Sequence, residues 1–182
     1  MDLRTLQRPL KERYRAEPAA AAVTLRATGT QAPAGVPIAC SVDLGRAVYD
    51  AQAHTGVGGA GTAACSGDLL LGALAACAQL TCQMVATALG IPVERIEAVV
   101  EGDLDLRGTL GVAQEVPAGF GAIRLRFDVS APEASPEQLA ALADKTERYC
   151  TVFQTLRQPP PIQTDWRTGE TGPLSGPGAA TG

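Results

Sequence analysis

From Leu69 to Val93 the chain carries no charged residue, in a run that reads LLLGALAACAQLTCQMVATALGIPV. Nothing else in the sequence restricts the fold as strongly, because so long an apolar element needs cover on nearly every side. A stretch of this length is also what a transmembrane helix requires. Gln79, Thr81, Gln83 and Thr87 interrupt it, however, and Asp68 rather than a basic residue precedes it. With nothing membrane-like elsewhere, the reading is a helix buried almost all round in a protein core, and no membrane partner. A chain of 182 residues has difficulty covering both faces of such a helix. A second copy that supplies part of the cover, a homodimer, is therefore expected.

The ends of this helix are marked. Ser66 is placed to cap it, Asp68 lies in the first turn where the helix dipole favours negative charge, and Gly90-Ile91-Pro92 stops it. Ahead of it runs the glycine-rich loop HTGVGGAGTAACSGD. These glycines do not make a phosphate loop, since no GK[ST] follows and the spacing misses G-x-G-x-x-G. They read as a flexible approach that lets backbone pass close to a dimer partner. Before the loop, residues 1–16 read as an amphipathic helix with Arg4, Arg8, Lys11, Arg13 and Arg15 on a solvated face. Ala22–Thr28, Val36–Asp43 and Arg46–Ala53 read as short strands.

After the helix, Val93–Asp105 alternates, with Ile96, Ala98 and Val100 on one side. Ile123–Val129 alternates more sharply, turning Ile123, Leu125, Phe127 and Val129 inward. Ser135-Pro136-Glu137-Gln138 opens a second helix with a capping box and proline at its first position. That helix buries Leu139, Leu142 and Thr146 and ends near Cys150, before a short possible helix over Thr151–Arg157. A last strand is expected over Ile162–Trp166. The organisation is an N-terminal helical extension over residues 1–20, an α+β domain over 21–167 and a disordered tail over 168–182.

The net charge of −4 gives no basis for nucleic-acid binding, which needs clustered Lys and Arg. The N-terminal segment has no apolar core of the kind a secretory signal carries. Five cysteines cannot all pair in one chain, and their spacing fits no disulfide framework, so a cytoplasmic location with free thiols is expected. One histidine, His54, and no C-x-x-C argue against a metal site, and no cofactor is expected.

Two cysteines stand in informative settings: Cys77 inside the apolar helix and Cys150 at the junction of two helical segments. A pair of thiols of this kind is what peroxide chemistry uses. One thiolate opens the O–O bond and becomes a sulfenic acid, and the other condenses with it to a disulfide. Helix N-terminal amides after Cys150 would stabilise a thiolate there. Cys82 is about 140° round the helix from Cys77 and roughly 8–9 Å away, beyond disulfide reach, so it reads as core. Cys40, in a predicted strand, also reads as core. Cys65 is the rival for reactivity, because it precedes the helix N-terminus where the dipole acidifies a thiol.

The order of elements, the Gly58-Gly59 loop, the run Asp68-Leu-Leu-Leu-Gly-Ala-Leu-Ala-Ala-Cys77, and Tyr149-Cys150-Thr-Val with Thr155-Leu156 together resemble the OsmC/Ohr family of thiol-dependent peroxidases, from about Val23 to Trp166. The resemblance implies an intertwined homodimer whose long central helices are wrapped by antiparallel β-sheet. It places the peroxidatic role on Cys77 and the resolving role on Cys150, with a small hydroperoxide as substrate and an external dithiol as reductant. Leu70, Leu74 and Leu80 would wall Cys77 and favour organic hydroperoxides. The alternative is a non-enzymatic member that binds a small apolar ligand, or senses redox state, at the dimer interface.

The chain departs from the family pattern at three points. Ser66 and Gly67 stand where many members have proline and a glutamate that holds an arginine against the thiolate; Asp68 is the possible substitute. Thr151 follows the second cysteine where proline is frequent. The activating cation is open between Arg26, Arg46 and Arg148, with His54 a further candidate near the loop.

Overall fold

The computed structural model describes residues 3–22, 24, 28–31, 39–44, 47–168 and 171–174. Its centre is helix α2, Ser66–Leu89. The cap is Cys65, one residue earlier than the sequence suggests, and Ser66 is already helical. The reason lies at Asp68, whose carboxylate accepts the Cys65 amide at 2.9 Å and so fixes the cap at the residue three places before it. At the other end Gly90 takes φ +72°, a left-handed conformation that closes the helix. Its amide and that of Ile91 bond back to the last carbonyls.

Strands β4 (Arg95–Leu104) and β5 (Phe120–Ser130) form an antiparallel ribbon laid against α2. Register pairs Ile96 with Val129, Ala98 with Phe127 and Val100 with Leu125, so the alternation seen in the sequence becomes one apolar face. On the other face Arg124 bonds Glu101 and Asp103 across the ribbon. These charges are exposed and contribute mainly to register and solubility. A short helix, α3 (Leu106–Thr109), lies between the two strands. Helix α4, Pro136–Tyr149, opens with the expected box: the Gln138 amide donates to Ser135 Oγ at 3.3 Å, and the Ser135 amide to Gln138 Oε1 at 2.9 Å. Leu142 and Thr146 are buried, but Leu139 is 38% exposed, because it faces an open cleft instead of the core.

Helix α1, Leu3–Ala16, rests on the C-terminal end of α2. Its basic face is solvated as expected, with Arg8, Lys11 and Arg15 exposed along an open cleft whose other wall is Met84, Thr87 and Ala88. Strands β1 (Thr28–Gln31), β2 (Ala39–Asp43) and β3 (Val48–Gln52) form a separate antiparallel meander. It joins the core where Gln52 bridges Cys65 and the Gln52 amide donates to Ala64 O at 3.0 Å. The glycine loop folds back on the end of this sheet. A Cβ on Gly59 would fall 1.6 Å from the Ala53 carbonyl oxygen, so this glycine serves a contact within the chain.

The last strand is displaced from its expected place. Residues 159–165 are irregular, and β6 (Trp166–Thr168) pairs with β7 (Thr171–Leu174), which falls inside the segment read as a disordered tail. Residues 169–170 and 175–182 lie outside the described residues, as do 23, 25–27, 36–38 and 46 of the first three expected strands.

Helix α2 is not buried all round. Leu74, Ala78, Thr81, Cys82, Val85 and Ala86 are covered by β4, α4 and α5 (Thr151–Arg157), whereas Leu70, Leu80 and Met84 remain 39%, 56% and 40% exposed. The helix is long and apolar enough to cross a membrane by length and composition, yet one face of it forms this core. A single chain covers one side only.

Candidate functional site

The site begins with a break between two helices. Cys150 takes φ −72° and ψ +107°, an extended conformation that ends α4 and starts α5. Its amide donates to Thr146 O at 3.0 Å and its carbonyl accepts from Gln154 at 2.9 Å, so it caps both helices at once. The Gln154 side chain donates to Glu147 O at 2.8 Å and ties the bend together. A helix that starts afresh presents amides with no partner in the helix itself. Those of Thr151 and Val152 point at the sulfur of Cys77 on α2.

Cys77 and Cys150 pack in one cluster with Leu74, Ala78, Val100, Leu125 and Phe153, and each thiol shifts the acidity of the other. Burial is the largest single influence on Cys77 and opposes its ionisation. It is outweighed by the Val152 amide, the Cys150 thiol, the Thr81 hydroxyl and the Thr151 amide, which together hold the thiol below the ordinary cysteine range. Cys150 is 1% exposed. Burial pushes its thiol up, against the Phe153 amide, and its role as donor to Cys77 pushes it further. The helix amides expected to serve Cys150 thus act chiefly on its partner. Cys77 is partly exposed, so the acidic thiol is also the one that solvent reaches.

Thr81 was not singled out in the sequence. It lies one turn after Cys77, is 4% exposed, and its hydroxyl favours ionisation of both thiols. The signal available was its spacing of four residues from Cys77, which sets the two on one helix face. Of the expected apolar wall, Leu74 is in place, while Leu70 and Leu80 face away and are exposed; β4, β5 and Phe153 supply the rest. A cavity of about 450 Å³ adjoins the cluster, bounded by Leu74, Ile123, Leu125 and Phe153 with Arg157 at its edge.

The other candidates stand elsewhere. Cys65 is twelve residues before Cys77 on the same helix, roughly 18 Å along its axis. Asp68 is engaged in the cap and held below the usual carboxylate range by the Cys65 amide, so it does not take the place of the family glutamate near the thiol. His54 accepts the Gly56 amide at 3.0 Å and lies near Asp68, at the far end of α2 from Cys77. Arg148 lies over the Tyr149 ring at 5.6 Å. Arg26 and Arg46 lie outside the described residues. The largest influences on Cys77 are burial and four hydrogen-bond donors, none of them charged. Cys82 is buried as expected, and burial raises its thiol. Cys40 falls in β2, opposite Ala51. Among the described residues no group of three or more His, Cys, Asp or Glu side chains is placed to hold a metal.

A ribbon of antiparallel strands and two short-linked helices packed on one long apolar helix, with a thiol pair at the helix junction, defines a class of small α+β proteins. The family model for OsmC-like protein matches residues 59–165, and the chain belongs to that family. Among solved structures, an OsmC-like protein from Mycoplasma pneumoniae matches with TM-score 0.62 and 18% identity, over 75% of this chain and 89% of that one. An organic hydroperoxide resistance protein OsmC from Legionella pneumophila matches at 0.59 and 19%, over 76% and 92%. One from Elizabethkingia anophelis, with thiocyanate bound, matches at 0.56 and 17%, over 76% and 91%. These likenesses establish the fold. No match is found among curated protein sequences.

Proposed function

We infer that the protein is a two-cysteine thiol peroxidase that reduces organic hydroperoxides. The observation that carries this reading is the acidified, partly exposed Cys77 packed against the buried Cys150, whose own thiol is pushed up. The Cys77 thiolate attacks the terminal oxygen of ROOH. The O–O bond breaks, its electron pair leaves with RO⁻, and that alkoxide takes up a proton to become the alcohol. Cys150 sulfur then attacks the Cys77 sulfenic acid; the S–O bond breaks, and hydroxide leaves as water with the Cys150 proton. An external dithiol reduces the disulfide and resets the pair. Solved relatives named as organic hydroperoxide resistance proteins support the substrate class.

Acidity alone sets a modest ceiling. A thiol at the ordinary value of about 8.5 is roughly 3% ionised at pH 7, so full ionisation gains at most about thirtyfold. A larger acceleration must come from donors that stabilise charge on the departing oxygen, and the Thr81 hydroxyl is already in the site. The reading extends to a cytoplasmic homodimer. The uncovered side of α2 (Leu70, Leu80 and Met84) is the face a second copy would cover.

The test is titration of the reduced protein with cumene hydroperoxide, following thiols and mapping any disulfide by peptide mass. The expected result is loss of two thiols as a Cys77–Cys150 bridge, abolished by Cys77→Ser, with a trapped sulfenic acid in Cys150→Ser. Reaction no faster than that of a free thiol would remove the enzyme reading.

A further inference from the structure

An unbroken helix would join Thr151 to Glu147, the later amide donating to the carbonyl four residues before it. The extended backbone of Cys150 prevents this. The last backbone amide to bond back into α4 is that of Cys150 itself, on Thr146 O at 3.0 Å. The break deprives the Glu147 carbonyl of its helical donor, and a backbone carbonyl is costly to leave unpaired. Gln154 fills the gap. Its side-chain amide donates to Glu147 O at 2.8 Å, while its backbone amide donates to Cys150 O at 2.9 Å. One half-buried residue thus grips the chain both before the break and at it.

We propose that Gln154 is a positioning residue: it occupies the Glu147 carbonyl in place of the Thr151 amide and so keeps α4 and α5 from closing into one helix. Threonine retains an amide that can return to that carbonyl, and each residue added to an existing helix gains a bond, so closure has a driving force. Closure would draw the Thr151 amide back into the helix and carry Cys150, which now caps both helices, into a helix interior. Against burial, the amides of Val152 and Thr151 both favour the ionised form of Cys77, and closing the break withdraws them. A glutamine suits this task because its amide is a neutral donor; an ionised glutamate would set acceptor against acceptor. As a step in catalysis the assignment rests on the peroxidase reading above. As a statement about the junction, it is tested without peroxide.

The measurement is the pH dependence of iodoacetamide alkylation in the reduced, full-length protein, read at the Cys77 peptide by mass. Gln154→Met keeps the length of the side chain and removes the donor. About tenfold less thiolate at a given pH is expected, the effect of losing one hydrogen bond to a charged group. Cys150 is the one titratable side chain among the influences on Cys77, and it is unchanged in every variant. The same substitution is then made on Thr151→Pro. Proline has no amide to return, fits the first helical position and favours the extended backbone that Cys150 already has. On that background Gln154→Met should change the Cys77 profile by less than about twofold, because the break no longer depends on Gln154. Equal effects on the two backgrounds, or none on either, overturn the assignment, as does a lowered thermal midpoint with an unmoved profile. Free solvent exchange of the Gln154 side-chain amide protons in the reduced parent, followed by NMR, overturns it without any variant. A shift on the parent background alone supports it even if cumene hydroperoxide reacts no faster than with a free thiol; that outcome removes only the peroxidase reading.

Discussion

Cys77 and Cys82 sit five residues apart on the same apolar helix, each beside a threonine hydroxyl and each partly or wholly withdrawn from water. Their acidities nevertheless move in opposite directions, Cys77 down and Cys82 up. Burial raises both, so burial does not distinguish them. The difference lies in what α4 and α5 bring to each. At Cys77 the helix break supplies two amides and a second thiol as donor; at Cys82 the still-helical last turn of α4 supplies one hydroxyl. Thiol acidity along α2 is therefore set at the α4–α5 junction, and the long helix serves to hold a sulfur in front of it.

The sharpest way to break this contrast is to remove each sulfur in turn. Cys77→Ser should abolish rapid consumption of cumene hydroperoxide by the reduced protein, a loss on the order of a thousandfold or more for an activated nucleophile. Cys82→Ser should stay within about twofold of the parent, as a change remote from the reacting atoms. Equal losses in stopped-flow assays would mean that the junction does not single out Cys77.

Next in size is Cys150→Ala. It removes the resolving thiol, so the first oxidation should proceed while turnover with a dithiol ceases. It also removes a donor from Cys77, so the thiolate should form at higher pH, seen by ultraviolet absorbance of the thiolate against pH. Retained turnover in this variant would take the resolving role away from Cys150, whatever the acidity of Cys77.

Much of this arrangement was legible in the sequence. The apolar run, its stop at Gly90-Ile91-Pro92 and the alternation in both long strands marked the core, because burial imposes period and composition directly. The two cysteines were marked by the motifs around them. What stayed hidden depended on partners distant in sequence. The amides of Thr151 and Val152 carry no side-chain signature, and only the crossing of α5 over α2 decides which cysteine receives them. The cap moved from Ser66 to Cys65 because the position of Asp68 sets the box, a weaker signal than the identity of the capping residue. Leu139 fits the helical period as well as Leu142 does, yet the cleft leaves it open. Likewise, the exposure of Leu80 follows from the side of α2 that one chain cannot cover.

A smaller effect separates the two threonines. Thr81→Val removes one of four donors to Cys77 and should slow peroxide reduction about three- to tenfold, the range expected for a hydrogen bond to a charged group that is partly exposed. Thr146→Val should leave that rate unchanged, since its hydroxyl lies beside Cys82. The pH–rate profile tells acidity from damage. Thr81→Val should shift the profile to higher pH with its plateau partly kept, whereas general loosening of the site would lower the plateau without a shift.

The smallest expected effect is on stability, where the two cysteines act with opposite sign. The folded state depresses Cys77, so this group adds stability that is present above the unfolded cysteine value of about 8.5 and is lost as pH falls through its folded value. Cys82 and Cys150 are raised, so each adds stability that is present below about 8.5 and is lost as pH rises through its folded value. The reduced protein should therefore gain stability with rising pH on the acid side of that value and lose it on the alkaline side. Denaturant midpoints measured across this range check both limbs. Cys77→Ser should flatten the acid limb and, because it also relieves Cys150, lessen part of the alkaline slope, whereas Cys82→Ala should lessen the alkaline slope while leaving the acid limb intact. If Cys82→Ala flattened the acid limb instead, the donors assigned to Cys77 would belong to its neighbour, and the contrast between the two sulfurs would be reversed.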